Sequence, residues 1–258
     1  MELGLKGRRV LVTGASQGIG AGLAQAFAGE GCDLFLVARS AERLQQVAGE
    51  ARALGVNVRA MAVDLTTDRA IDEVARSAGD VDILVNNAGS IPGGTLWDVD
   101  RAAWRKGWDL KVFGYIDLTR AIYPVMKQRG SGVILNNIGN GGQNFDFNYI
   151  AGTTGNAALM AFTCALGGRS LEDGIRVVGI NPGPVDTDRI RKVMCGRAEK
   201  LFGEAERYDE LIARYPLGRP ASVAEVANLF VYLASDLSRY TTGTIVTVDG
   251  GIASKRSV

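Results

Sequence analysis

The chain has 258 residues, with 29 Lys and Arg against 28 Asp and Glu, giving a formal charge of +1 and a pI near 7.7. Such a balance offers no general pull toward nucleic acid or an anionic membrane surface, and no apolar run approaches the ~20 residues of a spanning helix. Histidine is absent, which excludes Ser-His-Asp and Cys-His catalysis along with the commonest zinc ligand. Acid–base chemistry is left to Tyr, Lys, Asp, Glu and Cys. Cys32, Cys164 and Cys195 are far apart and show no paired spacing, so neither a metal site nor a disulfide framework is expected. They read as buried small hydrophobes in a reducing compartment. Met1–Lys6 lacks the charged-then-apolar profile of a signal peptide, and a cytoplasmic location is expected.

In chain order, short apolar runs recur at Val10–Val12, Leu34–Val37, Val56–Val63, Ile83–Val85, Val133–Leu135, Ile175–Ile180 and Ile245–Val248. Helical spacing occupies the intervals Ala21–Glu30, Ala41–Leu54, Arg69–Ala78, Ala102–Gln128, Ala157–Ser170 and Ala224–Ala234. The last of these opens on a capping box of Ser222 and Glu225. Strand-helix alternation over the whole length predicts an α/β fold, with a seven-stranded, mostly parallel sheet covered by helices on both faces. Residues 188–219 interrupt the rhythm with a charged, helix-like insertion between the last two strands. That places a substrate lid over the carboxyl ends of the strands. Its basic residues Arg189, Arg191, Lys192, Arg197 and Lys200 read first as a solvated helix face and alternatively as a cluster that attracts a carboxylate- or phosphate-bearing substrate, and Ile190, Val193, Met194, Leu201 and Phe202 as an apolar roof. Trp97, Trp104 and Trp108 read as packing and interface residues.

The segment Thr13-Gly14-Ala15-Ser16-Gln17-Gly18-Ile19-Gly20 lies between the first apolar run and the first helical stretch. Glycine there lets the backbone approach a pyrophosphate, and the unpaired N–H groups of the helix start face the anion. Asp64-Leu65 follows the third run, Asn86-Asn87-Ala88-Gly89 the fourth and Asn181-Pro182-Gly183-Pro184-Val185-Asp186-Thr187 the sixth, and Val248-Asp249-Gly250-Gly251 lies near the end. In order and spacing these motifs resemble the short-chain dehydrogenase/reductase family over almost the whole chain. The resemblance implies a single-domain Rossmann fold spanning 1–258, a nicotinamide cofactor across the strand ends and a dimer or tetramer. It assigns cofactor contacts to Gly14, Ser16, Gln17, Gly18, Ile19, Gly20, Asp64, Leu65, Asn87, Ala88, Gly89, Pro182, Gly183, Val185 and Thr187. At the end of the second strand an acid would favour NAD, but the chain has Val37-Ala38-Arg39-Ser40, so Arg39 is placed to pair the 2′-phosphate and NADP is favoured.

The catalytic positions depart from the family, whose Ser, Tyr and Lys fall, without gaps, on Gly139, Gly152 and Asn156, and whose helix-borne Asn falls on Lys111. Tyr149 lies three residues before the expected Tyr, one helical turn away on the same face if the helix begins early. The replacement site expected from these residues uses Tyr149 as acid or base, Lys111 as its cationic partner and Asn140, or its neighbour Asn137, as an amide donor to a substrate oxygen. Asn156 is left to bond a ribose hydroxyl. The reading that follows is an NADP(H)-dependent oxidoreductase moving hydride between nicotinamide and a small carbonyl compound or secondary alcohol. The alternative is an NADP-binding protein with a non-redox or regulatory role.

Overall fold

The computed structural model describes residues 2–255. Seven strands, β1 (Arg9–Thr13), β2 (Asp33–Ala38), β3 (Val58–Ala62), β4 (Ile83–Asn86), β5 (Gly132–Asn137), β6 (Ile175–Pro182) and β7 (Thr244–Val248), form one sheet in the order 3-2-1-4-5-6-7. All six pairings are parallel. Burial on both faces explains why the strands read as continuous apolar runs. Val10 and Val12 face one core while Leu11 faces the other, and Leu34 and Leu36 are divided from Phe35 and Val37 in the same way.

Helices α1 (Gly18–Gly29), α2 (Ala41–Arg52) and α9 (Val223–Ala234) cover the first face, contributing Leu23, Phe27, Leu44 and Phe230 to its core. The second face is covered by α3 (Asp68–Ala78) and α5 (Gly114–Arg129), with Ile71, Val74, Leu118, Ile122 and Met126. A smaller cluster joins Val112, Tyr115, Ile138 and Leu159, so α6 (Ile150–Gly167) packs beside α5. Strand order reverses between β1 and β4, the switch point where open α/β sheets bind ligands beyond their carboxyl ends.

Two helices differ from the sequence expectation in ways that shape the site. The span 102–128 forms α4 (Arg101–Trp108) and α5 joined by a single π turn, Asp109–Phe113, which carries Lys111. Wider π turns of this kind are frequent at functional sites. Helix α6 starts at Ile150, seven residues before the expected Ala157, although Gly152, Thr153, Thr154 and Gly155 are poor helix formers. Tertiary packing overrides propensity there, because Gly155 fits against Ile91, Trp108 and Val112, and the Trp108 indole donates to the Ala151 carbonyl at 3.0 Å.

The insertion holds α7 (Asp188–Phe202) and α8 (Tyr208–Ile212). Its apolar residues do not form the expected roof. Met194, Ala198 and Leu211 pack with Ile190, Phe202 and Tyr215 into a core of the insertion's own, and Val193 and Leu201 face solvent. The cysteine expectation holds for Cys32 alone, which is buried with its thiol pushed up to about 12 by burial, whereas Cys164 is exposed and Cys195 partly so. Trp104 and Trp108 pack around Ile91, Val99 and Ala151, but Trp97 is exposed beside Phe147, with ring centroids 6.3 Å apart. No helix among the described residues is long and apolar enough to cross a membrane, and no cluster of potential metal ligands occurs among them.

Candidate active site

The loop from β1 into α1 is shaped by glycines that admit no substitute. Gly14 and Gly18 adopt left-handed φ of 66° and 55°, and a Cβ on Gly20 would fall on the Gly14 carbonyl. Gln17 precedes α1 without capping it through its side chain, and no acid lies in the first turn, so this helix start presents free N–H groups. Asn87 ties the β4 end to the loop, its amide donating to the Thr13 carbonyl at 2.9 Å and the Gly14 carbonyl at 3.2 Å. The Thr13 hydroxyl receives the backbone N–H groups of Asn87 and Ala88. Ser16 and Ile19 complete the turn, and the methyl of Thr187 lies 3.3 Å from where a Gly18 Cβ would stand. The other side of the cleft is formed by Pro182 at the end of β6, Gly183 and buried Val185. A bare backbone cradle, uncapped N–H groups and adjacent cations fit a dinucleotide.

Arg39 is exposed at the end of β2, and Arg43, one turn into α2, reaches back to the Gln17 amide oxygen at 2.5 Å. The sequence reading missed Arg43, whose bond to Gln17 brings a guanidinium to the glycine loop. Asp33 is engaged elsewhere, accepting from the backbone and side chain of Asn57. Asp64 accepts from the Thr66 N–H, and Leu65 is buried beneath it.

Of the catalytic positions vacated in the sequence, that of Gly152 is filled in space by a neighbour. Tyr149 immediately precedes α6, and its ring lies over Gly152 so closely that a Cβ on Gly152 would fall inside it. The phenol thus takes the volume a side chain at 152 would claim. Gly139 has φ of 110°, and a Cβ there would lie 3.2 Å from the Asn156 amide nitrogen. Lys111 extends along Gly89 and donates to the Asn156 Oδ1 at 2.9 Å and to the Ile138 carbonyl. The Lys and Asn of the family pattern are therefore exchanged between two helices while remaining bonded to one another. Burial, reinforced by the Arg189 guanidinium, pulls the Lys111 ammonium down to about 7. A Cβ on Gly141 would touch both the Asn156 amide, at 3.3 Å, and the Tyr149 ring, at 3.5 Å, so the two border the same point.

Asn140 stands apart, because its amide donates to Asp249 at 3.1 Å and is not hydrogen-bonded to Tyr149, Lys111 or Asn156. Asn137 donates to the Asn87 Oδ1 at 2.6 Å, on the cofactor side of the cleft. The insertion adds what the sequence reading set aside as a solvated face: Arg189 reaches the Tyr149 hydroxyl, and Arg197 pairs with Asp146 at 2.7 Å.

A family model described as enoyl-(acyl carrier protein) reductase matches residues 14–253. The chain is a short-chain dehydrogenase/reductase. The 2-keto-3-deoxy-L-fuconate dehydrogenase of Xanthomonas campestris pv. campestris is 31% identical over 250 residues, covering 96% of this chain and 80% of that protein. The 7alpha-hydroxysteroid dehydrogenase of Escherichia coli is 30% identical over 254 residues, covering 97% of this chain and 96% of that one. Among solved structures, L-sorbose reductase from Gluconobacter frateurii, complexed with NADPH and L-sorbose, superposes with a TM-score of 0.92 at 33% identity, over 99% of this chain and 100% of that chain. The protein is accordingly an NAD(P)-dependent oxidoreductase on a seven-stranded Rossmann fold.

Proposed function

We propose that this short-chain dehydrogenase/reductase interconverts a small carbonyl compound and its alcohol with NADP(H) in preference to NAD(H), using Tyr149, Lys111 and Asn156 as its catalytic groups. The observation that carries the reading is the Tyr149 ring lying in the space above Gly152. Nicotinamide, when bound, supplies or accepts the hydride at the substrate carbon. Tyr149 gives its hydroxyl proton to the carbonyl oxygen during reduction, and as phenolate recovers a proton from the alcohol during oxidation. The Lys111 charge stabilises that phenolate. The Asn156 amide, beside the empty side-chain space of Gly139, donates a second hydrogen bond to the substrate oxygen, a part first expected of Asn140. Residues 188–219 serve as the lid.

Arg39 and Arg43 form the 2′-phosphate end, where a guanidinium fork matches a phosphate and no carboxylate competes. Relatives of both preferences exist, since the sorbose reductase is complexed with NADPH and a 7 alpha-hydroxysteroid dehydrogenase with NADH. The deciding experiment assays reduction of a carbonyl panel with NADPH and with NADH in the unmodified protein, Arg39→Ala and Tyr149→Phe. We expect NADPH to be preferred, the preference to collapse in Arg39→Ala, and Tyr149→Phe to lose about 100-fold or more in kcat while still binding NADPH. Full activity in Tyr149→Phe would remove Tyr149 as the proton donor, whereas no reduction of any carbonyl by the unmodified protein would favour the non-redox alternative.

A further inference from the structure

Arg189 is the second residue of α7, and its guanidinium enters the cleft from the lid side. One of its terminal nitrogens lies 3.3 Å from the Tyr149 hydroxyl and 3.3 Å from the Ile91 carbonyl. Arg197, Arg207 and Arg219 in the same insertion each hold a carboxylate, at 2.7, 2.7 and 2.9 Å. Arg189, Arg191 and Arg214 hold none among the described residues, and of these three Arg189 is the one hydrogen-bonded to Tyr149. The other cation of the pocket, Lys111, rests on a carbonyl and an amide oxygen and brings no counter-charge either. Asp249, bonded into the same end of the sheet, is saturated by Asn140 and by the N–H groups of Gly251 and Ala253. The pocket around the phenol therefore presents two positive groups, and its own acid is turned away.

We infer that Arg189 is a specificity residue that binds a substrate carboxylate, and that the substrate is an oxo or hydroxy acid whose reacting carbon lies one or two bonds from that carboxylate. This inference rests on the oxidoreductase reading above. A carbonyl oxygen accepting from Tyr149 and a carboxylate oxygen accepting from Arg189 each lie about 2.8 Å from donors that are themselves 3.3 Å apart. With the two hydrogen bonds running side by side, the acceptors stand about as far apart as the donors, 3.3 Å, a separation that a 2-oxo or 3-oxo acid supplies directly and a 4-oxo acid supplies only in a folded conformer. A planar guanidinium suits a carboxylate through two parallel bonds, which a lysine does not reproduce.

The test compares 2-, 3- and 4-oxopentanoate, the 3-oxo acid freshly prepared, with their methyl esters, which share the carbon skeleton but lack the charge. We expect kcat/KM for the 2- or 3-oxo acid to exceed that of its ester by about tenfold or more, the range of a charge-assisted hydrogen bond. The 4-oxo pair should show little preference. In Arg189→Met the acid-to-ester ratio should fall toward one, mostly through KM, and Arg189→Lys should restore part of it. NADPH titration of each variant establishes that it is folded. Esters used as well as acids by the unmodified protein, or an acid preference that survives in Arg189→Met, would overturn the inference. If no oxopentanoate is turned over, the carbonyl panel above separates the two readings, since reduction there leaves the oxidoreductase reading standing. Calorimetry of the same acids against the NADPH complex then decides the carboxylate site, which is refuted if no acid binds or if Arg189→Met binds them equally well.

Discussion

Gly152 and Tyr149 are coupled by exclusion, since the ring of one occupies the place where the other would carry its Cβ. Gly152→Ala should therefore displace the phenol and lower kcat by about 100-fold, the scale of a lost general acid. In Tyr149→Phe/Gly152→Ala the second change should add little to the first, as for groups acting as one unit. Steady-state kinetics of the three variants checks this, and independent multiplication of the two effects would contradict it. Lys111 makes a pH prediction of definite sign. Its ammonium is pulled from 10.5 to about 7 in the folded protein, so the fold binds fewer protons than the unfolded chain between those values. Stability relative to Lys111→Met should rise as pH goes from about 7 to 10.5 and be level below about 7. Urea titrations of both proteins across that interval measure the difference. In the pH profile of kcat/KM, which reports free-enzyme groups, the ionisation near 7 should vanish in Lys111→Met.

At the level of elements, the site depends on how α5, α6 and α9 are held. A buried polar chain runs from Thr119 on α5 through Asn86 and Asn136 to Thr163 on α6, with side-chain bonds of 3.1, 2.9 and 2.9 Å, fixing both helices to β4 and β5. The Asn86 Oδ1 is left without a partner, but in a water-poor interior these three bonds are costly to break, so the chain sets the registry of the Lys111 and Asn156 backbones. Helix α9 is closed by the capping box foreseen from its sequence, Ser222 receiving the Glu225 N–H at 3.1 Å and Glu225 receiving the Ser222 N–H at 2.7 Å. Ser222→Ala should cost about 1 kcal/mol, read as a lowered Tm with kcat unchanged. Arg219 and the Ser222 N–H hold the Glu225 carboxyl down at about 2, so the separate stabilisation that the Glu225 carboxylate supplies is present above 4.5 and is lost as pH falls toward 2.

For the whole molecule, the prediction is association. The outer face of α6 exposes Ala157, Ala161, Cys164 and Ala165, small side chains that permit close helix approach, and Phe113 and Val125 are exposed along the neighbouring rod. We expect a dimer or tetramer by light scattering at micromolar concentration, and a lower order in Ala161→Glu, where a charge would enter the contact. A monomeric unmodified protein would refute that interface.

Strand runs such as Val10–Val12 and Ile175–Ile180, the glycine loop, the cap at Ser222 and the absence of an acid after β2 were legible because each depends on residues close in sequence. The early start of α6 was not, since Gly152 and Gly155 look like helix breakers until the Tyr149 ring and the Ile91–Trp108–Val112 surface fill the space they leave. Nor was the packing of the 188–219 insertion, where hydropathy could not tell that Met194 and Leu211 share one cluster while Arg189 reaches the Tyr149 hydroxyl. The same limit covers the exchange of Lys111 and Asn156. Local chemistry determined which groups the chain has available and what kind of ligand its first loop accepts. Only tertiary packing decided which of those groups meet, because Tyr149 and Asn156 at the start of α6, Lys111 on the π turn and Arg189 on α7 come from three elements whose distances are set by the sheet and its two cores.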